Sequence, residues 1–340
     1  MSATTERAAA ETGNKLKRLR QRPAHGGPPT LFDFEHPARH HWDTITPSLS
    51  QHRAIVFVSA HWQADPGELP VSDEASISNA VIINQSTDLL YDYYNFPPQY
   101  YELTLESSNP QWLQDEVADE LRQSGVVSSV SFTADRGIDH GVFIPLLAMF
   151  GPQGVKKGSN GDSYRLPPLI QVSLPPPSHD AKTEGLRALQ LGKALQGLRA
   201  KGIAIVGGGQ PVHNLREYRT SKMSGSLSGP PQWSQDFARA VTLAVEGHRN
   251  QQGLEEGRSP AAAIPETPAI PTTEANGTDL LSSWRNALSL FDHPSFRMSH
   301  PSAEHLLPVL TCIGAAGDTP GREDFQHIEG GLTWGMYTWK

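Results

Sequence analysis

Three short apolar runs constrain the fold of this 340-residue chain more than any other feature. They cover residues 54–59 (AIVFVS), 169–174 (LIQVSL) and 202–206 (GIAIV), and they are rich in β-branched side chains. Continuous apolar runs of this length are typical of strands that are buried on both faces of a largely parallel sheet. The sequence therefore predicts a buried sheet built from these segments.

Amphipathic helical patterns alternate with the apolar runs, over residues 112–124, 183–201 and 231–249. Gly125 and Gly202 provide stop signals for the first two helices. Strands that alternate with helices indicate an α/β domain. We therefore predict one domain with a central mixed, mostly parallel sheet that is flanked by helices.

Polar segments set the predicted limits of this domain. Residues 1–22 are predicted to be a disordered leader, and residues 23–340 the folded domain. Two polar stretches, near 155–164 and 253–278, are interpreted as inserted surface loops. The second is rich in Pro, Ala, Thr and Glu, so it can bury little apolar area. Neither insertion requires a second domain.

Composition excludes several classes of function. The net charge of −8 argues against nucleic acid as the main partner. A single cysteine cannot form an internal disulfide or a thiolate metal site, whereas 14 histidines suit a His/carboxylate site for Fe(II), Mn or Zn. No segment has the roughly 20 apolar residues that span a bilayer, and no secretory signal is evident. We expect a cytoplasmic protein; the sequence does not indicate its oligomeric state.

Three histidines lie next to predicted strands or helices, at places where binding and catalytic residues are often found. His61 follows the first apolar run, and His213 follows the third run through three glycines. His140 lies in the segment GIDHG, directly before another apolar stretch. Ligands of open α/β sheets bind at the carboxyl ends of the strands. A single histidine at such a place is usually structural, but three together favour a functional site.

Two further histidines, His25 and His305, lie in the segments PAHGGPP and HPSAEHLLP. Ser302 is predicted to cap a helix whose first turn carries Glu304 and His305. Pro308 is then expected to loosen that turn. Alternatively, Glu304 only complements the dipole of this helix.

Seven segments together resemble the DOPA 4,5-dioxygenase family of LigB-like extradiol dioxygenases. Each is weak alone, but they occur in the family's order from His25 to Gly317 and so cover most of the chain. The segments are HGGPPTLFD, SAHW, YDYYNFPPQYY, GIDHGVFIPL, QVSL, GGGQPVHNLRE and HPSAEHLLPVLTCIGAAG.

The resemblance implies a metal that is held by His25, His61 and His305. In some LigB-like relatives the third ligand is a glutamate, which makes Glu304 the competitor of His305. The resemblance also implies that His213 is the acid/base group near the metal. It implies further that His140 belongs to the catalytic pocket.

The resemblance also implies an activity and the residues that contact the substrate. We expect a non-haem Fe(II)-dependent extradiol dioxygenase that opens a DOPA-like catechol with O₂. Zn(II) is a possible bound ion in a crystal, because it binds such sites tightly. Tyr94, Phe96 and Trp62 are the expected substrate-binding residues.

One segment departs from the family pattern and keeps two alternatives open. The family has a buried strand before its first metal histidine, whereas residues 16–24 of this chain are basic. The alternatives are a Zn-dependent hydrolase on the same scaffold and a non-catalytic metal-binding relative. The sequence has no HExxH motif that would favour the hydrolase.

Overall fold

The computed structural model describes residues 35–70, 73–158, 161–224, 229–247 and 281–339. The predicted leader, His25 and the predicted insertion at 253–278 lie outside these ranges. Among the described helices, none is both long enough and apolar enough to cross a bilayer.

A five-stranded mixed sheet forms the centre of the molecule. Its strands are β1 (Ala54–Gln63), β2 (Val81–Asn84), β3 (Val130–Thr133), β6 (Leu169–Leu174) and β7 (Ile203–Gly208). They lie in the order β3-β2-β6-β1-β7. β1 pairs in parallel with both β6 and β7, β2 pairs in parallel with β3, and β2 is antiparallel to β6. The predicted mixed, mostly parallel sheet is confirmed, and the three apolar runs form its β6, β1 and β7.

Two smaller sheets accompany the central one. β8 (Val212–His213), β10 (Leu332–Thr338) and β9 (Arg322–Glu329) form an antiparallel sheet in that order. β4 (Val155–Lys157) pairs with β5 (Ser163–Arg165) as a short hairpin, within the stretch that we interpreted as a polar insertion. β8 carries His213 beside Leu332 of β10.

Helices cover both faces of the central sheet. Alternate residues of β1 point to opposite sides, so Val56 and Val58 belong to one apolar cluster while Ile55 and Phe57 belong to another. The helices are α1 (Pro37–Leu49), α2 (Glu74–Ser78), α3 (Gln111–Gln123), α4 (His140–Phe150), α5 (Ala181–Leu195), α6 (Gly197–Ala200), α7 (Leu215–Ser224), α8 (Gln232–Glu246), α9 (Ser282–Ser289), α10 (Phe296–Ser299) and α11 (Leu307–Ala316). Members of α3, α5, α8, α9 and α11 share the first cluster, and members of α1 and α4 share the second.

The predicted helix start at Ser302 is wrong. Residues 301–306 form bends and turns, and α11 begins only at Leu307. Ser302 donates its hydroxyl to Glu304 Oε1 at 2.9 Å, instead of capping a helix. Pro308 therefore lies in the first turn of α11, where a missing N–H and a fixed φ are compatible with a helix. It does not break the turn that carries His305.

Helices α5 and α11 pack closely because glycines lie at their contact. A Cβ added to Gly192 would lie 2.0 Å from the carbonyl oxygen of Thr311, and one added to Gly314 would lie 2.0 Å from that of Leu189. Both contacts involve backbone atoms, which cannot rotate away. This packing holds α11 against the sheet, and with it the turn that precedes α11.

We expect Gly192→Ala to lower the free energy of unfolding by about 3 kcal/mol, because overpacking forces the two helices apart. Helix propensity alone would make the same change stabilising by about 1 kcal/mol. A decrease in the free energy of unfolding would therefore show that the contact between α5 and α11 determines the effect. Urea unfolding measures it. Gly229→Ala is the control, since its added Cβ meets nothing within 4 Å. A Gly192→Ala protein as stable as the control would contradict this account.

Candidate active site

Four histidines converge at one end of the central sheet. His61 lies near the carboxyl end of β1, His140 begins α4, His213 ends β8, and His305 lies in the turn before α11. The ring centroids are 3.9 Å apart for His61 and His140, 4.9 Å for His61 and His305, and 3.4 Å for His213 and His305. The structure thus brings together four of the five histidines that sequence analysis singled out; the fifth, His25, lies outside the described residues.

Two glycines allow this convergence. A Cβ on Gly141 would lie 2.5 Å from Ser59 Oγ and 2.9 Å from Cδ2 of His61, so only glycine lets α4 start this close to β1. A Cβ on Gly209 would lie 2.4 Å from the carbonyl oxygen of His305. Gly209, which follows β7, therefore lets the two backbone segments lie close together at the turn that carries His305.

Asp92 holds His140 in place, and sequence analysis missed it. Its Oδ1 lies 2.7 Å from His140 Nδ1 and accepts the backbone N–H of His140 at 3.0 Å. Its Oδ2 lies 3.9 Å from His61 Nδ1. Burial opposes ionisation of Asp92, but the hydrogen bonds from His140 outweigh it, and the pKa of Asp92 is lowered. The available signal was its place in the segment YDYYNFP, two residues before Tyr94.

A second carboxyl group, Asp139, lies below the histidines and is fully buried. Its Oδ1 accepts hydrogen bonds from Ser59 Oγ at 2.7 Å and from the N–H of Gly141 at 2.9 Å, and its Oδ2 accepts one from Gln171. Burial raises the pKa of Asp139. Because Ser59 and Gln171 lie on β1 and β6, this side chain links the start of α4 to the central sheet.

Three of the clustered imidazoles, those of His61, His213 and His305, are held neutral at physiological pH by lowered pKa values. Burial, together with the neighbouring histidines, lowers the pKa of both His61 and His213 to about 3. Burial also lowers the pKa of His305 well below its usual value. Neutral imidazole nitrogens are the form that binds a metal ion, since a bound proton would occupy the lone pair.

His305 has a further feature that is typical of a metal- or ligand-binding residue, namely a buried ring nitrogen without a hydrogen-bond partner in the described part of the chain. It is 8% exposed, and its Nδ1 has no hydrogen-bond partner among the described residues. A buried polar atom without a partner is costly unless a ligand or ion completes it. Glu304, by contrast, is only half-buried and accepts the Ser302 hydroxyl. Its carboxylate nevertheless lies close enough to His213 and His305 to share an ion with them.

The four histidines open into a cleft that aromatic and apolar side chains line. Phe57, Met149 and Trp334 contribute to its walls. Tyr94 and Phe96 line it too, as their predicted role requires. The Tyr94 side chain is 82% exposed, at a turn where Asn95 has a φ of 63°, whereas Phe96 is half-buried against Tyr93 and Tyr100.

Trp62 does not line this cleft, which corrects its predicted role. Successive residues of a strand face opposite sides of a sheet, so Trp62 points away from its neighbour His61. It is 3% exposed and packs in a separate cluster with Leu69 and Ile82. The Arg136 guanidinium lies 4.9 Å above its ring and donates to the carbonyl oxygen of His61 at 3.0 Å. Trp62 therefore supports the strand beneath the site.

A second histidine group, formed by His36, His327 and Glu329, is organised for packing instead. Its possible ligand atoms lie within 4.8 Å of one another. However, Nδ1 of His36 accepts the N–H of Ala38 as the cap of α1, and the carboxylate of Glu329 is paired with Lys222. Two members of this group therefore already take part in a helix cap and an ion pair.

The comparison with known families agrees with this geometry. The family described as "Catalytic LigB subunit of aromatic ring-opening dioxygenase" matches residues 35–334. The chain belongs to the LigB family. The family is described as one of aromatic ring-opening dioxygenases, and the predicted resemblance to it is confirmed.

Individual relatives of this LigB-family chain are distant. It is 29% identical over 271 residues to dioxygenase tasH of Hapsidospora irregularis, which covers 78% of this chain and 64% of tasH. The chain thus spans slightly less than two thirds of tasH. It is 25% identical over 319 residues to a 4,5-DOPA dioxygenase extradiol of Beta vulgaris, covering 92% and 93% of the two chains.

A solved structure supports the fold. The crystal structure of an uncharacterized protein of Escherichia coli K12 superposes with a TM-score of 0.54 at 20% identity, over 88% of this chain and 91% of the other. At this identity the likeness concerns the fold alone, and it agrees with the predicted LigB-like α/β domain.

Proposed function

We propose that this LigB-family protein is an Fe(II)-dependent extradiol dioxygenase that opens the ring of a DOPA-like catechol with O₂. The observation that carries the proposal is the cluster of four histidines, in which His61, His213 and His305 are held neutral by burial at the carboxyl end of the sheet. Relatives that are named 4,5-DOPA dioxygenase extradiol, in Beta vulgaris and Mirabilis jalapa, support the choice of substrate class.

The donor set fits a ferrous ion. His61 and His305 offer neutral nitrogens with their rings 4.9 Å apart, and imidazole is a preferred ligand of Fe(II). We propose His25 as the third ligand, with Glu304 as the competitor of His305. A ferrous ion bound there would supply open positions for both catechol oxygens and O₂, and a route for electrons between them.

His213 and His140 are the proposed proton-transfer groups. The stacking of His213 on His305 places it directly beside a proposed metal ligand, where it can accept a proton from a catechol hydroxyl. His140 donates its Nδ1 proton to the Asp92 carboxylate, which leaves Nε2 as the acceptor. We therefore assign to His213 and His140 the transfer of a proton from the catechol and its return to the opening ring.

Tyr94 and Phe96 are the proposed contacts for the aromatic ring. Both line the cleft, and Phe96 is braced edge-on at 5.4 Å from Tyr93, which itself lies 5.6 Å from His140. An aromatic wall beside the acid/base histidine favours a planar substrate, because ring pairs are attractive at these separations. It would also exclude water from the reacting carbons.

The proposal is tested by loading the purified protein anaerobically with Fe(II), adding L-DOPA and air, and following O₂ consumption together with the visible absorbance of the product. We expect O₂ uptake with a yellow product, and a loss of at least about 100-fold in kcat for His213→Ala. His179→Ala is the control, since His179 is exposed and does not line the cleft. Iron binding without O₂ uptake, for DOPA and for simple catechols, would favour a non-catalytic relative. Zinc-dependent hydrolysis without O₂ uptake would favour the hydrolase.

A further inference from the structure

Helix α7 is fixed directly to the proposed acid/base residue. Asn214, the residue after His213, caps this helix by accepting the N–H of Glu217 on its Oδ1 at 3.1 Å. Its Nδ2 donates to the carbonyl oxygen of Met298 at 2.7 Å, and its N–H donates to that of Gly331 at 2.8 Å. The start of α7 is therefore held in a defined position relative to His213.

The rotation of α7 about its axis is set by Tyr218. This side chain is 3% exposed and packs with Leu332 and Trp334 of β10. With Tyr218 buried, Leu215 and Arg219 lie one turn apart on a face that lines the histidine cleft. Four residues of a helix advance about 6 Å, so Arg219 lies one turn beyond the start of α7 along the wall of the cleft that the histidines also line.

Arg219 is the cleft-lining cation that lacks a partner. Of the guanidinium groups that line the cleft in the described ranges, Arg199 donates to the carbonyl oxygen of Ala315 at 3.0 Å, and Arg322 is paired with Asp324. Arg219 makes no hydrogen bond or ion pair within the part of the chain that the structure describes. The cleft-lining carboxylates there do not balance it, because Asp92 is engaged by His140 and Asp324 by Arg322.

We propose that Arg219 determines substrate specificity by binding a carboxylate substituent of the catechol. The inference rests on the proposed function, since it assumes that the ring itself lies at the histidine cluster. A carboxylate suits this position because the planar guanidinium fork matches it with two parallel hydrogen bonds. A substrate with an uncharged or cationic substituent would leave the Arg219 charge unmatched.

The test compares 3,4-dihydroxyphenylpropionate with its methyl ester, two catechols that differ in the charge of one group. Dissociation constants of the iron-loaded, anaerobic protein are measured by quenching of tryptophan fluorescence, since Trp42 and Trp334 line the cleft. The kcat and KM for O₂ uptake are measured in parallel. We expect the acid to bind about 10-fold more tightly than the ester, and Arg219→Met to remove that preference without changing ester binding. Arg219→Lys should keep part of it.

Arg216→Met is the matched control, because Arg216 is exposed on the same helix and does not line the cleft. It should leave the preference for the acid intact. Equal binding of acid and ester by the unaltered protein would overturn the inference, as would an Arg219→Met variant that loses affinity for both equally. If the acid is preferred through Arg219 but neither compound is oxidised, the inference stands and the proposed ring cleavage fails.

Discussion

Replacing His305 with alanine is expected to lower the affinity of the protein for Fe(II) by more than about 100-fold and to abolish O₂ uptake. Loss of a residue that only orients a ligand costs about 10- to 100-fold in affinity, and loss of the ligand itself costs more. His305 is nearly buried, and its Nδ1 has no hydrogen-bond partner among the described residues, so this nitrogen is available to a metal ion. His61→Ala should behave in the same way.

Glu304→Gln provides the control in the adjacent residue. This change removes the competing carboxylate but keeps its size, and the Ser302 hydroxyl can still donate to the amide oxygen. We expect its iron content and O₂ uptake to stay within about 3-fold of the unaltered protein, because a half-exposed side chain is not the proposed ligand. Metal content after anaerobic loading and dialysis is the direct measurement. Iron lost in Glu304→Gln and kept in His305→Ala would assign the ligand to Glu304 instead.

Strands β1 and β6 of the central sheet were predictable because they are buried on both faces. A strand covered by helices on both sides needs apolar residues at every position, and β1 and β6 show this as unbroken runs. β3 was not predicted because its residues are only partly buried and its sequence, VSFT, carries no distinctive run. The start of α11 was predicted at the wrong residue because serine is a common helix cap. In the structure, the Ser302 hydroxyl instead donates a hydrogen bond to the Glu304 carboxylate.

The candidate site was predictable where histidines follow strands, but its supporting residues were not. Trp62 was wrongly expected in the pocket, because neighbours along a strand lie on opposite faces of the sheet and the face toward the cleft belongs to His61. Asp92 was missed because its contact with His140 spans 48 residues, and no local spacing encodes such a contact. The role of His25 stays a prediction, as it lies outside the described residues.

The Asp92→Asn variant is expected to lower kcat for O₂ uptake by about 100-fold while leaving iron binding nearly unchanged. Asp92 accepts the Nδ1 proton of His140 and so holds Nε2 as a base. An asparagine can turn its amide N–H toward Nδ1, which moves the ring proton to Nε2 and removes the acceptor from the cleft. General-base contributions of this kind are typically about 100- to 10,000-fold, and the second base, His213, is retained.

Three measurements separate this positioning role from other roles of Asp92. The KM should change little, because Asp92 is engaged by His140 and is not a proposed contact of the substrate ring. The ¹⁵N shifts of His140 should report a change of tautomer in the resting protein. Asp88→Asn makes the same substitution on an exposed residue of the same loop and should leave kcat unchanged. If Asp92→Asn loses its iron together with its activity, Asp92 is a ligand beside His61, whose Nδ1 lies 3.9 Å from its carboxylate, and the positioning role is wrong.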